Sequence, residues 1–304
     1  MGIMGTIEKI NIIYSFMAVK GVGVVQTNKF LSFIASFNNF NDVENSLSNF
    51  LTEQQQLGFI ENKEKNKIEI IKCKYHIDFL TLTDELYPDN LRKFLKLNTP
   101  PVLSYIGNLD LLKKKKVAFS GSRKVSEKGI RITTDCVEQL LQKDITIVSG
   151  YAKGVDFEAH KTALEKGGNT IIILPEGINS FSIKKELEDV WNWDNVLVIS
   201  EYKPTDIWKV GRAMQRNNTI IALSDAVIVI EAGETGGSLD AGEKTIQLGK
   251  YLFVPEYKEI PDSAIGNNVL LRKGALPIRR NRETHKSNLV KMTELLNKTQ
   301  YQLF

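Results

Sequence analysis

Through the first quarter of the chain, in IEKINIIYSFMAV, KFLSFIASF and VENSLSNFLTEQQQLGFI, apolar residues recur every three to four positions. That period lines one face of a helix, so residues 1–85 are expected to form a small all-helical domain. From about Tyr87 the texture changes to short apolar runs, VLSYIG, VAFSGS, ITIVSG, TIIILPEG, VLVISEY, AVIVIEAG and YLFVP. Helical stretches such as RITTDCVEQLLQK and AHKTALEKGG separate them. Runs without polar alternation mark strands buried on both faces, and their alternation with helices predicts a doubly wound, mainly parallel α/β domain over residues 86–285. After Val254 the pattern weakens, and SNLVKMTELLNKTQYQLF predicts a helical tail over 286–304 with Ser287 as its N-cap.

Composition narrows this little. Forty basic residues stand against 36 acidic ones, a formal charge of +4, so any affinity for nucleic acid must come from local clusters of Lys and Arg. The two cysteines, Cys73 and Cys136, form no C-x-x-C and sit in no Cys/His cluster, so no metal site is read. The start MGIMGTIEKI lacks the pattern of a signal peptide, and no run of eighteen apolar residues occurs; a cytoplasmic protein with reduced thiols is expected.

In doubly wound sheets ligands bind beyond the carboxyl ends of the strands, which directs attention to the junction after each apolar run. The first, Gly121-Ser122-Arg123-Lys124-Val125-Ser126, combines small residues, a helix start and a guanidinium, the makings of a phosphate cradle. Its glycine spacing, Gly121 to Gly129, differs from a dinucleotide fingerprint, and no acidic residue closes the next strand to hold a ribose. The second, Gly150-Tyr151-Ala152-Lys153-Gly154-Val155-Asp156, offers Lys153 to a phosphate, with Asp156 as helix cap. His160 follows four residues later on the same helical face, where a structural Asp156–His160 hydrogen bond is expected. At the third, Glu176 either orients a ribose hydroxyl or acts as a base, or it caps a turn. The fourth brings Arg216, Asn217 and Asn218 before a strand and then Gly236-Gly237-Ser238, a further amide nest. Lys20-Gly21-Val22-Gly23-Val24, between the first two helices, is the kind of glycine turn with which a helix-hairpin-helix addresses a phosphate, though such a turn is more often only a turn.

Taken in order, YPDNL, PPVLSYIGNLDLL, GSRKVSEKG, SGYAKGVDFEAHKTAL, ISEY, RNNTIIALSDAVIVIEA and TGGSLDAGEKTIQLGK resemble the DNA-processing protein A (DprA/Smf) family over roughly residues 87–276. The resemblance implies a Rossmann-like domain, here preceded by a small all-helical domain of the SAM or helix-hairpin-helix kind. It further implies cooperative binding of single-stranded DNA without catalysis or cofactor, a homodimer, and loading of a RecA-type recombinase during natural transformation. By that resemblance Arg123 and Lys153 are strand-binding residues. Gly121, Ser122, Ser126, Gly150, Gly154, Arg216, Asn217, Gly236, Gly237 and Ser238 complete the expected interface. This chain departs from the family in having Arg216-Asn217-Asn218 where Arg-Asn-Arg is usual, and in ending without the C-terminal winged helix of many members. Strand binding therefore transfers better than pathway, and a mobile-element or antiviral setting stays open.

Two other classes compete with the binding module, in which Tyr151 or Phe157 either stacks on a base or packs in the core. One is a nucleotide sensor or phosphoribohydrolase-like enzyme, for which Glu243, eight residues after Thr235, is the nearest acidic analogue at an unfavourable spacing. The other is a scaffold with a relict groove. Arg272, Lys273, Arg279, Arg280, Arg282 and Lys286 form a basic patch that either extends the groove or is solvated surface, and Lys113 to Lys116 are expected to serve solubility.

Overall fold

The computed structural model describes residues 5–35, 37, 40–65 and 74–298; Cys73 and the end of the expected tail lie outside them. The chain forms two compact units. One runs to Ile106 and takes in Glu176–Phe181 and Ile199–Trp208; the other holds Gly107–Pro175, Ser182–Val198 and the chain from Lys209 onward.

In the first unit the helices α1 (Thr6–Met17), α2 (Val24–Ile34), α3 (Phe40–Ser46) and α4 (Glu53–Lys65) follow the apolar spacing. Phe16 and Phe30 stack with ring centroids 3.9 Å apart, and Phe50 meets both edge-on, within a core completed by Ile12, Ile34, Val43 and Phe59. Strands β1 (Asp78–Thr81) and β2 (Val102–Gly107) pair antiparallel, with α5 (Asp89–Leu95) between them in the chain. VLSYIG is thus a strand, but its partner is the unpredicted DFLT segment.

The second unit carries β3 (Lys116–Ser120), β4 (Thr146–Ser149), β5 (Thr170–Leu174), β7 (Ala226–Val229), β8 (Tyr251–Pro255) and β9 (Leu276–Ile278), together with β6 (Val196–Ser200) as far as Val198. Its helices are α6 (Glu127–Leu141), α7 (Val155–Glu165), α8 (Val210–Leu223), α9 (Gly237–Gln247), α10 (Ile265–Arg272) and α11 (Val290–Lys298). The strand order is β6-β5-β4-β3-β7-β8-β9, with parallel pairing of β5, β4, β3, β7, β8 and β9 along the row. Every residue of β4, β5 and β7 is buried, as apolar runs without alternation require. From β3 the chain winds outward on one side, then crosses back through α8 to wind outward from β7 on the other. The order therefore reverses between β3 and β7, the switch point at which Rossmann-like sheets open a crevice.

The core lies between this sheet and its helices, with Phe119, Val137, Ile147, Val155, Ile228 and Phe253 at its centre. Leu289, Met292 and Leu296 belong to the same core, so α11 packs as one of the sheet's helices. The expected N-cap, Ser287, lies three residues before Val290, the first residue of α11, whose amide donates to Asn288 Oδ1 at 3.1 Å. Ser287 is held in a bridge with Arg280. Among the described residues no helix is long and apolar enough to cross a membrane.

Candidate nucleic-acid interface

Three junctions meet at the carboxyl edge of β3, β4 and β7, and Glu231, one position beyond the Ile230 that ends the AVIVI run, ties the first of them down. Its main-chain oxygen accepts from Ser122 N at 2.8 Å. Its carboxylate, fully buried, accepts from Ser126 N at 2.9 Å, Ser126 Oγ at 2.5 Å, Tyr257 Oη at 3.1 Å and Ser263 Oγ at 2.5 Å. Ser126 Oγ also accepts from Gly129 N at 3.0 Å, which makes it the N-cap of α6. The Ser126 hydroxyl is thus engaged within the fold, between Glu231 and the first turn of α6. What this anchoring leaves at the tip is Arg123 with Lys124, both exposed.

The β4–α7 junction locks onto this tip through glycine. Gly154 has φ +80°, and a Cβ there would fall on the Ser122 carbonyl and within 2.8 Å of Arg123 Cα. Val155 N donates to the same carbonyl at 3.4 Å. Lys153, exposed and one residue before Gly154, therefore stands beside Arg123, so two sequence-distant cations share one tip.

Behind them lies a buried layer. A Cβ on Gly150 would strike the Arg216 guanidinium and the Asp156 carboxylate, so the absence of a side chain there lets these charges approach under the loop. Arg216 is only 6% exposed, and its Nη1 donates to the Ile173 carbonyl at 3.1 Å. It is a strut beneath the surface, not the outward phosphate donor expected beside Asn217. Burial raises the Asp156 carboxyl above its ordinary value, against the opposing effects of Arg216, a Ser149 hydrogen bond and the Ala152 amide. The expected Asp156–His160 bond is replaced: His160 Nδ1 pairs with Thr170 Oγ1 at 2.6 Å and Nε2 with the Gly150 carbonyl at 2.5 Å. Burial pushes the imidazole down to about 4, so it is neutral at pH 7.

Lys184 is the residue that sequence reasoning missed. Its Nζ donates to the Tyr151 carbonyl at 2.9 Å and lies 4.2 Å from the Tyr151 ring centroid and 5.0 Å from that of Phe157. Burial lowers its ammonium from the usual lysine range, and the nearby Lys153 charge adds to this. The two aromatics considered for stacking are thus roofed by a cation from a segment with no recognisable motif. At the third junction, Gly236 has φ +107° and starts α9 without a capping side chain; Asn217 Nδ2 approaches within 3.9 Å of where a Gly237 Cβ would lie. Asn217, Gly237 and Ser238 are half-buried there.

Other candidates fall elsewhere. Glu243 is ion-paired with Lys273 at 2.5 Å, and Glu176 belongs to the first unit. Lys116, expected at the surface, is buried, its Nζ donating to the carbonyls of Leu112 and Lys114, while Lys113 and Lys114 pair with Asp110 and Asp144. The cavity at the switch point, between Ser120, Gly150, Asp156 and Asn217, measures about 20 Å³. That is room for one water, against several hundred Å³ for a small-molecule site. The chemistry on offer is an open row of cations and helix-start amides, suited to an extended anion.

Fold and site together define a Rossmann-like domain whose carboxyl edge carries exposed cations and the free start of α9. The family model of DNA recombination-mediator protein A matches residues 78–288, and the chain belongs to that family. The DNA processing protein DprA of Streptococcus pneumoniae is 37% identical over 197 residues, 64% of this chain and 68% of that protein. Its crystal structure superposes with a TM-score of 0.73 at 28% identity, covering 91% of this chain and 95% of the other. DNA processing protein A from Helicobacter pylori, whose structure was described for its single-stranded DNA binding mode, gives a TM-score of 0.59 at 26% identity over 75% of this chain and 98% of that one.

Proposed function

We propose that this chain binds single-stranded DNA along the carboxyl edge of its β3, β4 and β7 strands and acts in DNA processing without catalysing a reaction. The observation that carries this is the interlock of Gly154 with the Ser122–Arg123 backbone, which holds two exposed cations of separate loops at one tip. Arg123 and Lys153 contact phosphates; the α9 N-terminus with Gly236, Gly237 and Ser238, and Asn217 beside it, supplies further donors. Lys184 over Tyr151 and Phe157 makes a mixed seat for a phosphate or a base. Membership of the family, and the single-stranded DNA binding for which the H. pylori relative's structure was described, support this reading. On the same footing we assign the chain a cytoplasmic homodimer, a RecA-type recombinase as the protein it loads onto the strand, and recombination or natural transformation as its setting.

The test is fluorescence anisotropy with labelled single-stranded and duplex oligonucleotides, for the wild type and for Arg123→Ala/Lys153→Ala. The expected result is single-strand binding by the wild type that is lost or strongly weakened in a folded double variant. Absence of single-strand binding by the wild type at low salt overturns the reading.

A further inference from the structure

The loop after β9 lies at the same sheet edge as the Arg123–Lys153 tip. Parallel pairing runs unbroken from β3 through β7 and β8 to β9, with Ser120 opposite Val229, Ile228 opposite Phe253 and Pro255 opposite Ile278. Continuing that register past the paired positions sets Ser122, Glu231, Glu256 and Arg279 at one level. Three strand spacings, about 14 Å, separate β3 from β9 at that edge.

Residues 279–288 form a closed, internally bonded loop. Asn288 N donates to the Arg279 carbonyl at 2.8 Å, Asn281 N to the Lys286 carbonyl at 2.7 Å and His285 N to the Asn281 carbonyl at 3.1 Å; Arg280 bridges to Ser287. Asn281 Oδ1 accepts from the amides of Glu283 and Thr284 at 2.8 and 3.0 Å, and His285 takes the left-handed conformation, φ +59°. Two side chains of α6 fasten the loop: Asp135 accepts from Ser287 N at 2.5 Å, and Gln139 donates to the Ser287 carbonyl at 2.9 Å. Arg279 is ion-paired with Glu256, and Arg280 Nε donates to the His285 carbonyl at 3.0 Å. Arg282 and Lys286 stay exposed, with Glu283 the one acid in the loop.

A lysine- or arginine-rich surface that serves only solubility has no need of a fixed backbone. Here the loop is ordered by hydrogen bonds from both of its ends and from α6, so its cations are presented without the entropy loss that a floppy segment would meet on binding. We propose that this loop is a second contact for the single-stranded backbone, with Arg280, Arg282 and Lys286 continuing along the sheet edge the track that begins at Arg123 and Lys153. The proposal rests on the strand-binding reading above. The loop is suited to phosphates, because Arg282 offers a fork of donors and Lys286 a point charge, and the loop holds no Phe, Tyr or Trp.

Its length dependence tests it. Arg282→Ala/Lys286→Ala removes two cations and leaves in place the loop's bonds through its backbone, Asn281 and Arg280. Salt-dependent affinity is measured for this variant and the wild type on a short oligonucleotide of ~6 nucleotides, which fits one patch, and on a long one of ~20, which spans both. On the long strand the variant's slope of log affinity against log salt should be shallower by about 1.4, with binding at least about tenfold weaker near 0.1 M salt. On the short strand held at the Arg123 tip it should match the wild type. A second variant, Asn281→Ala, which frees the loop but keeps every cation, should weaken long-strand binding severalfold without changing the slope as much. Equal slopes for Arg282→Ala/Lys286→Ala and wild type on the long strand overturn the proposal. Wild type that ignores both strands overturns the strand-binding reading itself, a separate outcome.

Discussion

Arg123 lies against Gly154 and Arg216 against Gly150 of the same loop, and their fates differ. Arg123 emerges at a tip whose backbone is fastened by Glu231 and overlain by Gly154, and it ends exposed. Arg216 sits in a short motif of equally polar residues, yet its guanidinium runs inward under Gly150 to the Ile173 carbonyl. The difference teaches that an arginine beside a ligand loop serves whichever need is nearer. Arg123 faces solvent; Arg216 lies beside a buried carboxylate, Asp156, beneath the β4–α7 loop that carries Lys153.

The largest effect should come from the inward arginine. Arg216→Ala leaves Asp156 buried without its cation, and a loss of about 3–5 kcal/mol in chemical denaturation is expected. An unchanged midpoint would mean that Arg216 is dispensable to the layer and would erase the contrast with Arg123.

The buried layer also predicts a pH dependence. The folded-state pKa of His160 lies near 4 against 6.5 for the free group, so the unfolded chain takes up the proton first as pH falls. Stability present above about 6.5 should be lost progressively on descending to about 4, by roughly 3 kcal/mol from this residue. Asp156, raised by burial, works in the opposite sense, gaining stability as pH falls through its elevated value. Melting His160→Gln beside the wild type from pH 7 to 4 separates the two: the variant should start lower and fall less. Parallel curves would contradict the assignment.

Gly154→Ala sharpens the comparison at the tip itself. A left-handed residue with a Cβ against the Ser122 carbonyl should cost about 1–3 kcal/mol and weaken single-strand binding in the protein that remains folded, since Arg123 and Lys153 are forced apart. The smallest stability effect should come from Arg123→Ala/Lys153→Ala, within about 0.5 kcal/mol of wild type, because both side chains are exposed.

Much of the α/β unit was legible because buried parallel strands write themselves as unbroken apolar runs; β3 to β8 all lie on such runs. β1 was not, since DFLT is a short strand half exposed at its start and carries no comparable run. At the site, the glycine-bearing junctions announced the loops that bring the exposed Arg123 and Lys153 to one tip. The side of a loop to which a charge turns was not legible: Arg216 and Lys116 read as surface cations and are buried. Glu231 passed unnoticed as the residue after an apolar run, although its four hydrogen-bond donors come from three distant segments. Lys184 had no motif at all, because only the fold brings Ser182–Val198 against Tyr151 and Phe157.

The most direct measurement is the salt slope of single-strand affinity for Arg123→Ala, Lys153→Ala and the double variant, each first shown to be folded. If the two cations sit together on the phosphate backbone, each single substitution should make the slope shallower by about 0.7 and the double by about 1.4. Slopes unchanged from wild type in all three folded variants would contradict the account, because the interlocked tip would then not be where the strand lies.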